Sequence, residues 1–499
     1  MISYFKLKIK YFWMALCWIG YSIPTMAQQQ PNVLLIMADD IGLGDIGFYH
    51  TERTGTKPLV PTPNMDKLIR EGMRFGDAHS PASLCAPTRF SMLTGNFSYR
   101  NYLPWGVWAP TRDAGIDPTF TTIARIAKKG GYTTAFFGKW GLGGLWKGLP
   151  ENYATLEGGA QKLGFDYSLL LPQGIQNKPY AFYEHEKWMK LQNDSKLVQI
   201  PFEQTKYGEE DRNRKREGIG DSNWDPVLAG PLLANKAVEY IQEQGKTPTP
   251  FFLYYCSQAV HVPHTPSAQL DGMRIAGSTL GNHGDMIREL DAQVGMIVKA
   301  LKKTGQYKNS LIVFTSDNGG LNRDKALRDA GHDSSNGLTG KKASIYEGGH
   351  RVPFVAVWPG KIEAGSESQV TIVGQDMVAT LAAIAGVALD QDKVFDSADL
   401  SSVFTQNSIA PLHRYLLHQS QAPGGPYYAL REGDWKLVMK TDSREHFESL
   451  TPIGLFNFKN KSSESDADNL LHQSAHAVRI AQMKETFLKL RSGGATTTY

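Results

Sequence analysis

Two apolar runs, far apart in the chain, end in the same way. Asn32-Val33-Leu34-Leu35-Ile36-Met37 leads into Ala38-Asp39-Asp40-Ile41-Gly42, and Leu311-Ile312-Val313-Phe314-Thr315 leads into Ser316-Asp317-Asn318-Gly319-Gly320. Uninterrupted apolar runs of this length read as strands buried on both faces, the mark of a parallel sheet. Such strands have no free face for charge, so polar residues gather at their ends, where open α/β sheets build their sites. In a parallel sheet the two ends share one edge. Asp39, Asp40, Asp317 and Asn318 would then form a cluster of oxygen donors. Oxygen donors without imidazole or thiolate select hard cations, Ca2+ or Mg2+. Taken alone, Asp39 and Asp40 also fit a solvated loop with two acids.

The rest of the chain supplies what such a sheet needs. Tyr132-Thr133-Thr134-Ala135-Phe136-Phe137, Phe251-Phe252-Leu253-Tyr254-Tyr255 and the run from Phe354 to Trp358 read as further strands. Helical patterns fall between them at 62–72, 119–129, 232–244, 285–303 and 376–384. The alternation predicts an α/β fold with a large mixed, mostly parallel sheet flanked by helices. From about 405 the pattern changes to short strands around Arg431-Glu432-Gly433-Asp434 and a helix over 476–490. That segment reads as a smaller C-terminal α+β subdomain containing an antiparallel sheet. The expected division is a signal peptide at 1–27, a catalytic domain at 28–404 and a C-terminal subdomain at 405–499. Between about 145 and 225 the pattern weakens. Trp146, Trp188 and Trp224 punctuate that stretch, as local packing or as a substrate-recognition insertion, and the charge run 209–216 reads as a solvated loop.

The N-terminus has the form of a secretory signal: Lys6, Lys8 and Lys10, an apolar run from Tyr11 to Ile23, then Thr25-Met26-Ala27. The expectation is an exported protein, periplasmic or secreted, with no stable membrane anchor. Formal net charge is +4, and cleavage after Ala27 removes three lysines and no acid. That near-neutral balance argues against a nucleic-acid partner. Two cysteines remain, Cys85 and Cys256, too few for a disulfide scaffold. A bridge between the two is one alternative, and it would occupy Cys85.

Cys85 stands at the head of a short helical pattern, with Pro87 in the first turn, Arg89 one turn on and Gly95 at the stop. A thiol in the positive field of a helix N-terminus is reactive. The plainer reading is a buried structural cysteine beside a surface arginine. Lys139 lies at another strand end, in Gly138-Lys139-Trp140-Gly141, and His261 and His264 follow a third. The two histidines could be metal ligands, an acid/base pair or surface residues.

The string Cys85-x-Pro87-x-Arg89 with Leu93-Thr94-Gly95 resembles the signature of the type I sulfatases. So do Asp39-Asp40, Gly138-Lys139-Trp140, Pro263-His264, Ser316-Asp317-Asn318-Gly319, Lys342 with Glu347-Gly348-Gly349-x-Arg351-Val352-Pro353, and Gly433-Asp434-Trp435-Lys436. The resemblance implies the alkaline-phosphatase-like α/β fold and hydrolysis of a sulfate ester, on a sulfated carbohydrate or glycan. It implies that a formylglycine-generating maturation enzyme converts Cys85 to 3-oxoalanine, whose hydrate is the nucleophile. Asp39, Asp40, Asp317, Asn318 and the converted Cys85 would hold Ca2+ in preference to Mg2+, and Arg89 would steady them. Lys139, Lys342 and His264 would bind the sulfate and protonate the leaving oxygen, with His261 the weaker match.

One position departs from the resemblance. Many relatives carry His after Gly-Lys-Trp, and this chain has Gly141. That leaves the base of the last step open, with His264, His261 or His332 as substitutes. The departure also keeps in view a non-catalytic sulfoglycan-binding relative, and the resemblance itself leaves a phosphodiesterase or phosphonate hydrolase of the same superfamily as a further alternative.

Overall fold

The computed structural model describes residues 30–497, apart from 102–105, 113–115, 118, 322, 422–424 and 444–446. The signal peptide expected at 1–27 therefore lies outside the described residues. Ten strands form one sheet: β1 (Asn32–Ala38), β2 (Met73–Phe75), β3 (Thr133–Lys139), β4 (Tyr167–Ile175), β5 (Phe182–Glu184), β6 (Lys187–Met189), β7 (Phe251–Cys256), β8 (Ser310–Ser316), β9 (Phe354–Val357) and β10 (Ser366–Ser368). Their order across the sheet is β10-β2-β9-β8-β1-β7-β3-β4-β5-β6. The five central strands, β8-β1-β7-β3-β4, run parallel, and antiparallel pairings enter on both flanks.

β1 is buried along its whole length because both its neighbours and both its faces are covered. Leu35 pairs with Tyr254 on one side and Val313 on the other. Alternate residues serve opposite layers. Val33, Leu35 and Met37 pack with the helices Cys85–Thr94, Ile123–Lys129 and Met377–Ile384. Leu34, Ile36 and Ala38 pack with the helices Pro63–Glu71, Ala229–Gln244 and Asn282–Lys303. A sheet covered on both faces by helices is the condition for a parallel core, which the continuous apolar runs required.

The weakly patterned stretch holds more order than its sequence displays. β4 is a nine-residue strand inside it, buried from Ser168 to Ile175, and it extends the parallel core. Pro172 and Gly174 interrupt its pattern, which hid it. Trp146 and Trp224 are buried in aromatic contacts with Tyr153, Tyr180 and Phe182, and Trp188 gives its indole N–H to Asp221. Packing accounts for these rings. The charge run forms an exposed 3-10 turn, Glu209–Arg214.

Four more strands, β11 (Tyr415–Ser420), β12 (Tyr427–Glu432), β13 (Trp435–Lys440) and β14 (Thr451–Asn457), make a separate antiparallel sheet in sequence order. The helix Ala477–Arg491 covers one face with Met483, Phe487 and Leu490. The other face meets the main body through Ile345 and through buried charge. Lys436 reaches Glu347 at 2.9 Å and Glu464 at 2.6 Å, and Arg431 forks onto Asp77 at 2.8 and 2.7 Å. Breaking one such buried pair costs about 3–5 kcal/mol, because the abandoned charge has no water to turn to. Strand β11 also braces the Cys85 loop. Ser83 donates its hydroxyl to the Gln419 carbonyl, and Ser420 donates its hydroxyl to the Ala343 carbonyl.

Candidate active site

The ends of β1 and β8 lie side by side, as their parallel pairing demands: Ala38 is in register with Ser316. Asp39, Asp40, Asp317 and Asn318 are all buried there. The backbone fixes them. Asp39 N–H donates to the Ala259 carbonyl at 2.9 Å, and Asp317 N–H to the Ala38 carbonyl at 3.1 Å. Asp40 adopts φ +72°, a left-handed conformation uncommon outside glycine, and its N–H donates to Asp317 Oδ1 at 3.2 Å. Asn318 Nδ2 donates to Asp40 Oδ1 at 2.8 Å.

Three cations converge on these acids. Arg89 Nη2 donates to Asp317 Oδ2 at 2.7 Å and stands 3.9 Å from Asp39 Oδ1, while its Nη1 donates to the Lys139 carbonyl at 2.9 Å. Lys139 Nζ donates to Asp39 Oδ2 at 2.7 Å, and Lys342 Nζ donates to Asp40 Oδ1. Burial alone would raise the Asp39 carboxyl. Lys139, then His261, Arg89 and Lys342, outweigh burial and hold it far below the ordinary carboxylate range. Asp40 is lowered on the same balance, with Lys342 the leading cation. Asp317 goes the other way: burial, then the neighbouring Asp39 charge, pushes it up to about 7.

These residues fit a metal ion. Asp39, Asp40 and Asp317 each offer an oxygen within 4.8 Å of the others. Asp39 Oδ1 and Asn318 Oδ1 are buried and accept no hydrogen bond, so two oxygens are left facing a partner that protein does not supply. An all-oxygen set of this kind suits a divalent hard cation. His79, His350 and His418 also cluster, but Arg431 stands 3.1 Å from His79 Nε2 and Lys436 3.0 Å from His350 Nε2. A cation there would meet two charges of its own sign.

Cys85 is the first residue of the helix Cys85–Thr94, with Gly95 closing it at φ +71°. Both Cys85 and Cys256 are free and buried, so the alternative of a bridge between them is not realised. Arg89, four residues into the helix, is buried rather than on the surface. This replaces the plainer reading of that arginine. The solvated loop is likewise replaced at Asp39 and Asp40.

The histidines divide. His261 Nε2 lies 3.9 Å from Asp40 Oδ2, and its Nδ1 is 2.9 Å from the Val262 carbonyl. A carbonyl can only accept, so the neutral ring carries its proton on Nδ1 and turns a bare Nε2 to the site. Burial and Lys342 lower His261 to about 4. His264 instead packs against His283 with the rings tilted, centroids 4.9 Å apart, and burial with that neighbour lowers it to about 3. The sequence ranks His264 first of the two; the geometry brings His261 to the carboxylates. His332 is engaged elsewhere, with Nε2 2.8 Å from Asp45 Oδ1.

Residues that sequence reasoning passed over brace this edge. Ser316 Oγ accepts from Ile41 N–H at 3.1 Å, and Asp45 Oδ2 accepts from Gly42 N–H at 2.8 Å, tying down the Asp39-Asp40 turn. An acid just past a glycine-bearing turn, here Gly42-Leu43-Gly44-Asp45, was the available signal. Gly141 has φ +71°, and a Cβ there would meet only Arg89 and Lys139 side-chain atoms at 3.5–4.0 Å. Arg89 Nε, beside that space, has no hydrogen-bond partner.

The Sulfatase family model matches residues 31–387. An N-acetylgalactosamine-6-O-sulfatase of Bacteroides thetaiotaomicron is 29% identical over 90% of this chain and 91% of its own length. Arylsulfatase A of Bos taurus is 32% identical over 85% of this chain and 77% of its own. Among solved structures, a Bacteroides thetaiotaomicron protein described under metabolism of multiple glycosaminoglycans superposes with a TM-score of 0.78 at 25% identity, covering 93% of this chain and all of that one.

Proposed function

The chain belongs to the sulfatase family and is a sulfuric ester hydrolase; from that premise we infer that it removes sulfate from an O-sulfated carbohydrate, using a nucleophile made at Cys85 and Ca2+ at Asp39, Asp40, Asp317 and Asn318. The observation that carries this reading is the meeting of a helix-opening cysteine, the buried cations Arg89 and Lys139, the part-buried Lys342 and two unsatisfied carboxylate and amide oxygens at one sheet edge. The carbohydrate part is supported by the names of the relative and of the solved structure.

Asp39, Asp40, Asp317 and Asn318 would hold the cation, which polarises sulfate oxygens and favours the ionised nucleophile when bound. Conversion of Cys85 to formylglycine by a maturation enzyme supplies that nucleophile as an aldehyde hydrate. The remaining work belongs to side chains already in position. Arg89 holds Asp317 and the Lys139 carbonyl, so it fixes the ligand cluster and β3 together. Lys139 and Lys342 present ammonium groups to an anion arriving beside Asp39 and Asp40, where charge builds during sulfate transfer. The helix N-terminus at Cys85 adds backbone donors of the same sign. His261, whose bare Nε2 faces the cluster, is assigned the proton-accepting role of the last step, the base that Gly141 leaves open.

Among the described residues no helix is long and apolar enough to cross a membrane. The signal-like residues 1–27 support an exported enzyme that meets its substrate outside the cytoplasm.

The test has two parts, on protein expressed with a maturation system. The tryptic peptide Phe75–Arg89 should carry an aldehyde at position 85 by mass spectrometry, and the same preparation should release sulfate from an aryl sulfate and from 6-sulfated N-acetylgalactosamine. A converted Cys85 with no turnover on any sulfate ester, and binding alone, would sink the catalytic reading.

A further inference from the structure

Beside the site lies an open cleft of about 860 Å³ whose walls carry cation that the fold does not neutralise. It adjoins the proposed active site through two near neighbours in sequence. Lys341 lines the cleft while Lys342 holds Asp40, and His264 lines it while His261 faces Asp40. A sugar joined to one whose sulfate lies between Lys139 and Lys342 would extend in this direction.

Three charges of the lining are already paired. Lys206 pairs with Asp225 at 2.7 Å, Lys325 pairs with Asp329, and Asp211 pairs with Arg214 at 3.1 Å. Asp324 caps the helix Lys325–Asp329 by accepting from Ala326 and Leu327 N–H. Arg323, Lys341 and Glu210 form no ion pair among the described residues; with Arg328 and Asp324 also on the wall, the lining carries five cations against three acids. The 22-residue helix Asn282–Lys303 opens on the same cleft at Gly281 and Asn282. Its cap is glycine and gives no side-chain acceptor, but Asp285 in its first turn and the Asp324 carboxylate beside Gly281 answer the positive helix end. In its first turn, behind His264, His283 is buried with neither ring nitrogen bonded. The excess of cations, with Arg323 and Lys341 unpaired, gives this wall a preference for an anion.

We propose that this cleft is a subsite for a second anionic group, a carboxylate or another sulfate, on the sugar next to the one being desulfated; this rests on the sulfated-carbohydrate reading. Arg323 and Lys341 are then specificity-determining residues that act on binding and leave the chemical step alone. Being exposed, they confer an affinity that falls as salt rises.

The test compares wild-type enzyme with Arg323→Gln, Lys341→Gln and Glu210→Gln. The probes are 4-methylumbelliferyl sulfate, a 6-sulfated N-acetylgalactosamine disaccharide with a uronate neighbour, its uronate methyl ester, and the same disaccharide with a second sulfate replacing the uronate. The doubly anionic probes should show KM raised about tenfold by Arg323→Gln and Lys341→Gln, with kcat unchanged, and lowered by Glu210→Gln. The aryl sulfate and the methyl ester should change less than twofold. The uronate and disulfated arms report which anion the cleft prefers. A change of equal size on charged and neutral probes, or none on any, overturns the subsite. If wild type hydrolyses aryl sulfate but no disaccharide, inhibition of that turnover by the same disaccharides decides, with the same tenfold criterion. If it hydrolyses no sulfate ester, the sulfatase reading falls, and calorimetric binding of the disaccharides to wild type and variants still decides the subsite.

Discussion

Lys139 Nζ donates to Asp39 Oδ2 at 2.7 Å although the two residues stand 100 positions apart and their strands are not neighbours. β7 lies between β1 and β3. Lys139 therefore spans the end of β7 to reach the cluster, and its stem is buried on the way. Lys139→Met should remove the leading cation from Asp39 and lower kcat/KM on an aryl sulfate by about 100-fold or more, the usual scale for one transition-state charge partner. Lys139→Arg should not rescue it, since a planar guanidinium does not fit the buried path of an ammonium. Steady-state kinetics on both variants check this.

Removing divalent metal should expose the repulsion among Asp39, Asp40 and Asp317. Dialysis against a chelator should abolish turnover and lower Tm, and Ca2+ should restore both. At 100 times its Kd the ion should contribute about 2.7 kcal/mol of stability. Asn318→Ala removes one unsatisfied oxygen and should raise the Ca2+ concentration needed for half-maximal Tm recovery. Equal Tm with and without chelator would count against a metal at this edge.

Two glycines near Lys139 should respond differently to a methyl group. At Gly138, φ is +98° and an added Cβ would sit 1.9 Å from the Cys256 carbonyl oxygen, so Gly138→Ala should prevent native pairing of β3 with β7. At Gly141 the nearest atom is 3.5 Å away and only the backbone conformation resists. Gly141→Ala should fold with a loss of about 1–2 kcal/mol, the cost of a left-handed L-residue. Denaturant unfolding of the two variants measures the contrast.

Asp291 predicts a pH dependence of stability. Both its oxygens accept hydrogen bonds from the start of the helix Pro63–Glu71, from Asn64 and Met65. Burial outweighs those donors and raises its carboxyl from the ordinary 3.8 to about 6. Between these values the folded chain holds a proton that the unfolded chain has released. Its contribution is therefore greatest below about pH 4 and declines as pH rises to about 6, by roughly 2–3 kcal/mol in total. Asp291→Asn has no such proton. The unfolding free energy of wild type minus variant should fall across that window, and parallel curves would refute the assignment.

The resolution of the two ends of the chemistry differs along the sequence. Strand runs such as 32–37 and 311–315 are continuous because both faces and both edges are covered, and that pattern needs no partner to be read. The same holds for the acids that follow them and for Cys85 at a helix start. β4 escaped notice because Pro172 and Gly174 break its pattern, and only its neighbour β3 makes it a strand. The partners at the site could not be read at all. Nothing local says that Arg89 turns inward to Asp317, that Lys342 takes Asp40, or that His261 rather than His264 faces the cluster.

Local chemistry thus determined the kind of sheet, the residues able to carry charge at its end and the family signature, because periodicity and residue type are properties of short stretches. Tertiary structure alone decided which of those residues meet, which cations are consumed by acids and which are left facing the cleft. Those outcomes depend on strand order and on side-chain direction across hundreds of residues, and a charge shows its partner only once the chain between them has folded.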